Sequence, residues 1–220
     1  MQAPEYNPPL NDGLDVLFED EFILAINKPA GLLSVPGRGE DKQDCLASRV
    51  EEEYPGTLIV HRLDMATSGI VLIARDKGTQ AKLGMLFSER QISKRYHAVV
   101  DGLLEEDSGI IDQPMRCDWP NRPRQMIDYE SGKQAITNFN VLERNYNAPS
   151  TRIELTPLTG RTHQLRLHMQ YLGHAILGDR LYGSNQIFNR SDRLLLHACE
   201  LIFEHPVSKE TLELMCETPF

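Results

Sequence analysis

Little in this chain of 220 residues suits a disulfide scaffold, a membrane span or a nucleotide cofactor. Its four cysteines, Cys45, Cys117, Cys199 and Cys216, lie far apart and make no C-x-x-C pair, so free structural thiols in a reducing compartment are expected. No apolar run approaches the ~20 residues that cross a bilayer. The opening MQAPEYNPPLNDG lacks both the basic start and the apolar centre of a secretory signal, which points to the cytoplasm. No G-x-x-x-x-G-K-S/T loop, G-x-G-x-x-G fingerprint or H-E-x-x-H helix is present. His163 and His168 stand five residues apart, more than a helical turn, so no metal site is expected from them. A Ser-His-Asp arrangement stays open on residue types, although no G-x-S-x-G elbow supports it.

What is present is an ordinary globular composition, 40% hydrophobic and 25% charged, long enough for one substantial core or two small ones. No shift in composition marks a boundary, and a single domain over residues 14–220 is expected behind an N-terminal arm of residues 1–13. The net charge of -9 is unevenly spread. Residues 1–60 hold 4 basic against 12 acidic side chains, residues 201–220 hold 1 against 4, and the middle holds 18 against 16. Its basic residues cluster at Arg90, Lys94 and Arg95, at Arg116, Arg122 and Arg124, and at Arg161 and Arg166. A local basic groove is therefore compatible with an acidic chain, and a solvated mixed-charge surface is the competing reading.

Periodicity predicts a hairpin from strands over 14–18 and 22–27, then a helix over 43–54 that Pro55 and Gly56 end. The β-branched run Ile70–Ala74 predicts a strand buried on both faces, and residues 77–90 a helix. Residues 93–100 alternate as a strand. Residues 112–128, with PMRCDWPNRPRQMID, show no period and read as a long loop of the functional kind. A second hairpin is expected from strands over 134–142 and 151–156. Residues 162–172 predict a helix with Leu165, Met169 and Leu172 on one face and Arg166 free to lie off it, stopped by Gly173. Strands over 193–203 and 211–216 close an α+β fold.

The stretch His61-Arg62-Leu63-Asp64-Met65-Ala66-Thr67-Ser68-Gly69 puts a carboxylate at the entrance to the buried strand. If residues 61–64 are extended, Arg62 and Asp64 project to one side. An aspartate in a turn usually serves as a local hydrogen-bonding device, and its neighbours alone do not raise it to a catalyst. Taken with KPAGLLSVPG at 28–37, KRYHAVV at 94–100, LTGRTHQLRLH at 158–168, GDRLYG at 178–183 and RLLLHA at 193–198, however, it closely resembles the RluA family of RNA pseudouridine synthases. These blocks span nearly the whole chain in the family's order. The CDWPNRPRQ stretch at 117–125, and the lack of an S4-like RNA-binding domain, resemble the members that act on both tRNA and ribosomal RNA.

The resemblance implies a pseudouridine synthase catalytic fold: a mixed, largely antiparallel central sheet with flanking helices and an RNA-binding cleft. It implies isomerisation of uridine without metal or cofactor, in a tRNA anticodon loop and a 23S rRNA hairpin, by a monomer. Asp64 matches the catalytic carboxylate, which attacks the sugar or assists base departure. Arg166 matches its ion-pair partner and Tyr96 the tyrosine stacked on the target base. Arg62 matches an arginine at the RNA, and Arg161, His163, Arg122 and Arg124 are further RNA-binding candidates. Local alternatives stand beside each: a core tyrosine, a structural ion pair at Arg62, a surface helix charge at Arg166, and packing for Leu165 and Leu195. Lys28, Pro29 and Gly31 are expected to shape a loop rather than make bonds. A non-catalytic RNA-binding or ribosome-assembly protein and a metal-dependent hydrolase are the competing functions.

Overall fold

Strand alternation and turn chemistry give twelve strands and four α-helices among residues 6–220, which the computed structural model describes. In chain order these are β1 (Val16–Glu19), β2 (Ile23–Lys28), α1 (Leu46–Glu53), β3 (Leu58–Ile59), β4 (Ser68–Ala74), α2 (Lys77–Ser88), β5 (Ser93–Asp101) and β6 (Ser108–Asp112). There follow β7 (Met115–Cys117), β8 (Gln125–Ile127), β9 (Ile136–Asn145), β10 (Ser150–Pro157), α3 (Gln164–Tyr171), α4 (Asn185–Phe188), β11 (Leu196–Glu204) and β12 (Thr211–Met215). The pairs β1·β2, β2·β4, β3·β4, β5·β10, β9·β10, β6·β9, β7·β8 and β11·β12 are all antiparallel, the largely antiparallel α+β architecture that was expected. The chain gathers into two compact units, one of residues up to 92 with Ala198–Glu217, the other of Ser93–His197 with Thr218–Phe220.

In the first unit the β1–β2 turn is fixed by Asp20, whose Oδ1 accepts the Phe22 and Ile23 N–H groups at 2.7 Å. All seven residues of β4 are buried, as a β-branched run covered on both faces requires. Ile70, Leu72 and Ala74 share a core with Ile23, Ala25, Leu83, Leu201, Phe203 and Leu214. Each such side chain contributes roughly 1.5–3 kcal/mol by leaving water. Helix α1 starts on a reciprocal cap between Cys45 and Ser48 and buries Leu46 and Val50, four apart on one face. Asp76 caps α2 through the Gly78 and Thr79 N–H groups, which lowers its carboxyl pKa, the Thr79 side-chain bond contributing most.

Of the expected arm, residues 1–5 lie outside the described residues. Residues 6–13 form no regular element, yet they are tied down. The Tyr6 hydroxyl donates to the Asp44 carbonyl at 2.9 Å and accepts the Leu33 N–H at 3.0 Å. Arg49, 5% exposed, donates to the Pro9 and Leu10 carbonyls while forming a two-nitrogen bond with Asp44.

In the second unit β5, β10, β9 and β6 lie side by side. Asn145 Oδ1 accepts the Asn147 and Ala148 N–H groups at 3.1 Å and closes the expected β9–β10 hairpin. Two expectations are corrected. Residues 112–128 are not one long loop: β7 and β8 pair as a hairpin, Arg116 opposite Met126, around a 3₁₀ turn at Trp119–Asn121. Strands of three residues, broken by Pro120 and Pro123, are too short to show alternation. Helix α3 also lacks a solvent face along most of its length, since Gln164 through Met169 are all buried. Arg166 is therefore inside, only 4% exposed, where periodicity left it free to lie at the surface.

Candidate active site

Asp64 lies in the first unit on the irregular segment between β3 and β4, and its carbonyl accepts the Thr67 N–H at 3.1 Å. That turn delivers the chain into Ser68 and Gly69. Gly69 has φ +113°, and a Cβ there would sit 2.2 Å from the Ala198 carbonyl oxygen, so only glycine allows this approach of the β4 entrance to β11. Arg62 is exposed, Leu63 is 7% exposed, and Asp64 is half-buried. The burial alternates as an extended segment requires, with Leu63 turned into the core.

The KPAGLLSVPG block holds that segment on either side of Asp64. Ser34 Oγ donates to the Leu63 carbonyl at 2.8 Å and accepts the Leu63 N–H at 3.2 Å. The Met65 carbonyl accepts from Lys28 Nζ at 3.2 Å and from the Gly31 N–H at 2.8 Å. Lys28 is fully buried and also donates to the Pro29 and Leu32 carbonyls, which compensates the desolvation of its ammonium. His61 supports the same segment from its start: Nε2 accepts the Leu72 N–H at 2.9 Å and the ring packs 4.5 Å from Phe87. Sequence motifs at 28–37 and 61–69 are thus one piece of structure, with Lys28 and Gly31 in the shaping role expected of them.

The second unit holds Arg166, Tyr96, Arg161, His163, Arg122 and Arg124. Arg166 Nε donates to Asp179 Oδ2 at 2.8 Å and Nη2 to Oδ1 at 2.7 Å, a planar two-bond pair of the strongest ordinary kind. Asp179 is fully buried, and its Oδ1 also accepts the Leu181 and Tyr182 N–H groups at 2.8 and 3.0 Å. Gly178, φ +76°, lets this turn press on residues 193–194, since a Cβ would stand 1.9 Å from the Arg193 carbonyl oxygen. The ring of Tyr182 lies 5.3 Å from the Arg166 guanidinium and 5.5 Å from that of Arg124. Its hydroxyl accepts the Gln125 N–H at 2.8 Å and sits 2.9 Å from His163 Nδ1.

Sequence reasoning quoted GDRLYG but gave Asp179 and Tyr182 no role. The available signal was a lone acid and a tyrosine three apart behind a glycine, in a block matched for family likeness only. His163 enters α3 at φ 55° and engages Tyr182. Arg161 is exposed, with Nε donating to the Gln134 carbonyl. Buried Gln164 ties α3 to β9, accepting from Thr159 and Arg161 and donating to Ile136 and Thr137. Tyr96, half-buried on β5, stands opposite Leu155. Leu165 is 7% exposed and so part of the packing. Arg122 and Arg124 sit at the hairpin end, Arg122 4.1 Å from the Trp119 ring centre. Among the described residues no three His, Cys, Asp or Glu side chains converge as a metal site, and no helix is long and apolar enough to cross a membrane.

Comparison with known proteins places these features. Residues 22–171 match the family model of RNA pseudouridylate synthases. The dual-specificity RNA pseudouridine synthase RluA of Haemophilus influenzae is 50% identical over 220 residues, all of both chains. The RluA of Escherichia coli K12 is 48% identical over 207 residues, 94% of each chain. Among solved structures, human RNA pseudouridylate synthase domain containing 1 superposes with a TM-score of 0.81 at 30% identity, covering 97% of this chain and 87% of the other. With the aspartate loop, the arginine helix and the tyrosine strand all inside the matched region or its immediate continuation, the chain belongs to the RNA pseudouridylate synthase family.

Proposed function

We propose that the chain isomerises particular uridines of structured RNA to pseudouridine, in a tRNA anticodon loop and in a 23S rRNA hairpin, acting as a cytoplasmic monomer. The reaction breaks the N1–C1′ bond, forms the C5–C1′ bond, releases the C5 proton and returns a proton to N1. Asp64 is the carboxylate of this chemistry, Arg166 its cationic partner, Tyr96 the platform for the extruded base, and Arg62, Arg161, Arg122 and Arg124 contact the RNA. The observation that carries the reading is the identity of 50% over the whole length to a relative named for dual specificity. The clamping of Leu63 and Met65 around Asp64 supports it, because a group that must meet a flipped nucleotide in one geometry cannot sit on a mobile loop.

RNA carrying tritium at uridine C5 tests the proposal, since C5–C1′ bond formation liberates the label as water. Wild-type protein is expected to release it from an anticodon stem-loop and from a 23S rRNA hairpin. Asp64→Asn, nearly isosteric but unable to act as nucleophile or base, is expected to bind RNA, keep its fold and release none. Release at the wild-type rate by the Asn variant would refute the role of Asp64. Binding without release by the wild type on both RNAs would favour a non-catalytic RNA-binding protein.

A further inference from the structure

We propose that Trp119 and Arg122, at the turn of the β7–β8 hairpin, form a stacking site for an unpaired RNA base distinct from the uridine that is isomerised. The inference rests on the family's RNA substrate class and adds a second point of nucleotide capture. Trp119 is the single tryptophan of the chain and is 66% exposed, which leaves much of its ring surface accessible to a flat partner. The Arg122 guanidinium lies 4.1 Å from the centre of its ring. A cation on one face fixes the indole's orientation and leaves the remaining surface for a flat ligand.

Charge selects the ligand. Residues 115–127 hold three arginines against Asp118 in a chain whose net charge is -9. Arg116 is paired with Asp128. Neither Arg122 nor Arg124 has an ion-pair partner among the described residues, their recorded contacts being with the rings of Trp119 and Tyr182. An exposed indole beside a cation not neutralised by the protein matches a nucleobase and its phosphate, the combination by which single-stranded nucleic acid is held. The hairpin is also anchored well enough to pre-set this geometry. The Asp118 N–H donates to the Arg124 carbonyl and the Arg124 N–H to the Asn121 carbonyl, closing the turn, while the Gln125 N–H donates to buried Tyr182.

A single tryptophan makes the test direct. Trp119 emission is followed while wild-type protein is titrated with a fluorescently tagged stem-loop RNA, and with the same sequence closed into a full duplex. Quenching that saturates with the stem-loop and is absent with the duplex is expected. Trp119→Ala should weaken stem-loop binding roughly 5- to 150-fold, the range of one base stacked on an aromatic ring, with the loss falling in KM rather than kcat. Trp119→Phe should recover most of it. Emission that stays constant while the tag reports saturation, or an Ala variant binding as tightly as wild type, overturns the stacking site. Tritium release by the wild type is read in the same samples. Its absence would refute the proposed function, whereas the emission titration decides the stacking site on its own.

Discussion

Replacing Asp179 with asparagine removes one charge and almost no volume from a buried ion pair. Asp179 is 0% and Arg166 4% exposed, so solvent screens neither. The carboxylate accepts four N–H bonds, from Arg166 Nε and Nη2 and from the backbone of Leu181 and Tyr182. An asparagine that keeps its oxygen at the Oδ1 position retains three of these acceptor contacts. Its amide nitrogen then faces Arg166 Nε, donor against donor, and the buried guanidinium loses the charge of Asp179. Breaking a buried pair from one side costs about 3–5 kcal/mol. For a chain of this size that lowers Tm by roughly 6–20 °C, at 2–4 °C per kcal/mol. Calorimetry and urea unfolding measure the stability, and tritium release at 20 °C, below the transition, measures turnover. Both should fall. Asp179→Asn with Arg166→Met should recover part of the stability, because the amide oxygen still accepts the Leu181 and Tyr182 N–H groups and no guanidinium is left facing the amide nitrogen, and on the proposed role of Arg166 it should not recover turnover. An Asp179→Asn protein with wild-type Tm would show that the pair contributes nothing beyond what an amide supplies, and would refute the argument that Asp179 sets Arg166 in place.

Ser34→Ala removes the hydroxyl that serves both backbone groups of Leu63; leaving them buried and unpaired should cost about 1–3 kcal/mol, read by urea unfolding, and should lower kcat more than RNA affinity. His168 is fully buried, with Nδ1 2.9 Å from Thr137 Oγ1, and burial holds its pKa below the ordinary value. The unfolded chain therefore binds this proton first. Its contribution is complete above about pH 6.5 and is lost as pH falls below that value. His168→Gln should flatten the decline of Tm between pH 6.5 and 5, and an unchanged slope would discount the residue. Of the four free thiols only Cys117 is not buried, while burial pushes Cys216 up to about 11. Maleimide at pH 7.5 should label Cys117 first, as peptide mapping would show, and equal labelling of all four would contradict the packing.

Sequence carried the elements whose physics is local. The buried β4 was legible in the run Ile70–Ala74, the β9–β10 turn in Asn145 and its neighbours, and α2 in the helical spacing over residues 77–90. What was not legible depended on partners distant in sequence. Arg166 looks like a surface charge by helical spacing, and its burial follows from Asp179, 13 residues on. Lys28 looks like a turn lysine, and its burial follows from the Met65 carbonyl, 37 residues away. The hairpin at 115–127 failed for another reason, its strands being shorter than a full alternation. Of the proposed site, Asp64, Arg166 and Tyr96 were reachable only through the resemblance of their motif blocks to the family, whereas Asp179 and Tyr182 hold other residues and leave no chemical signature of their own.

The two kinds of support suit the two charges they hold. Around Asp64 the clamps grip backbone only: Ser34 takes the peptide groups of Leu63, and Lys28 with Gly31 takes the carbonyl of Met65. Those contacts fix the loop through its peptide groups, on both sides of Asp64. Lys28 Nζ donates to the carbonyls of Pro29, Leu32 and Met65. Arg166 is held the other way, through its own guanidinium, and can be, because an arginine stays charged whatever it binds and has five N–H donors to divide. Two go to Asp179. In the roles proposed above, the carboxylate that reacts is therefore held by clamps on its neighbouring peptide groups, and the cation that supplies charge is held through its side chain.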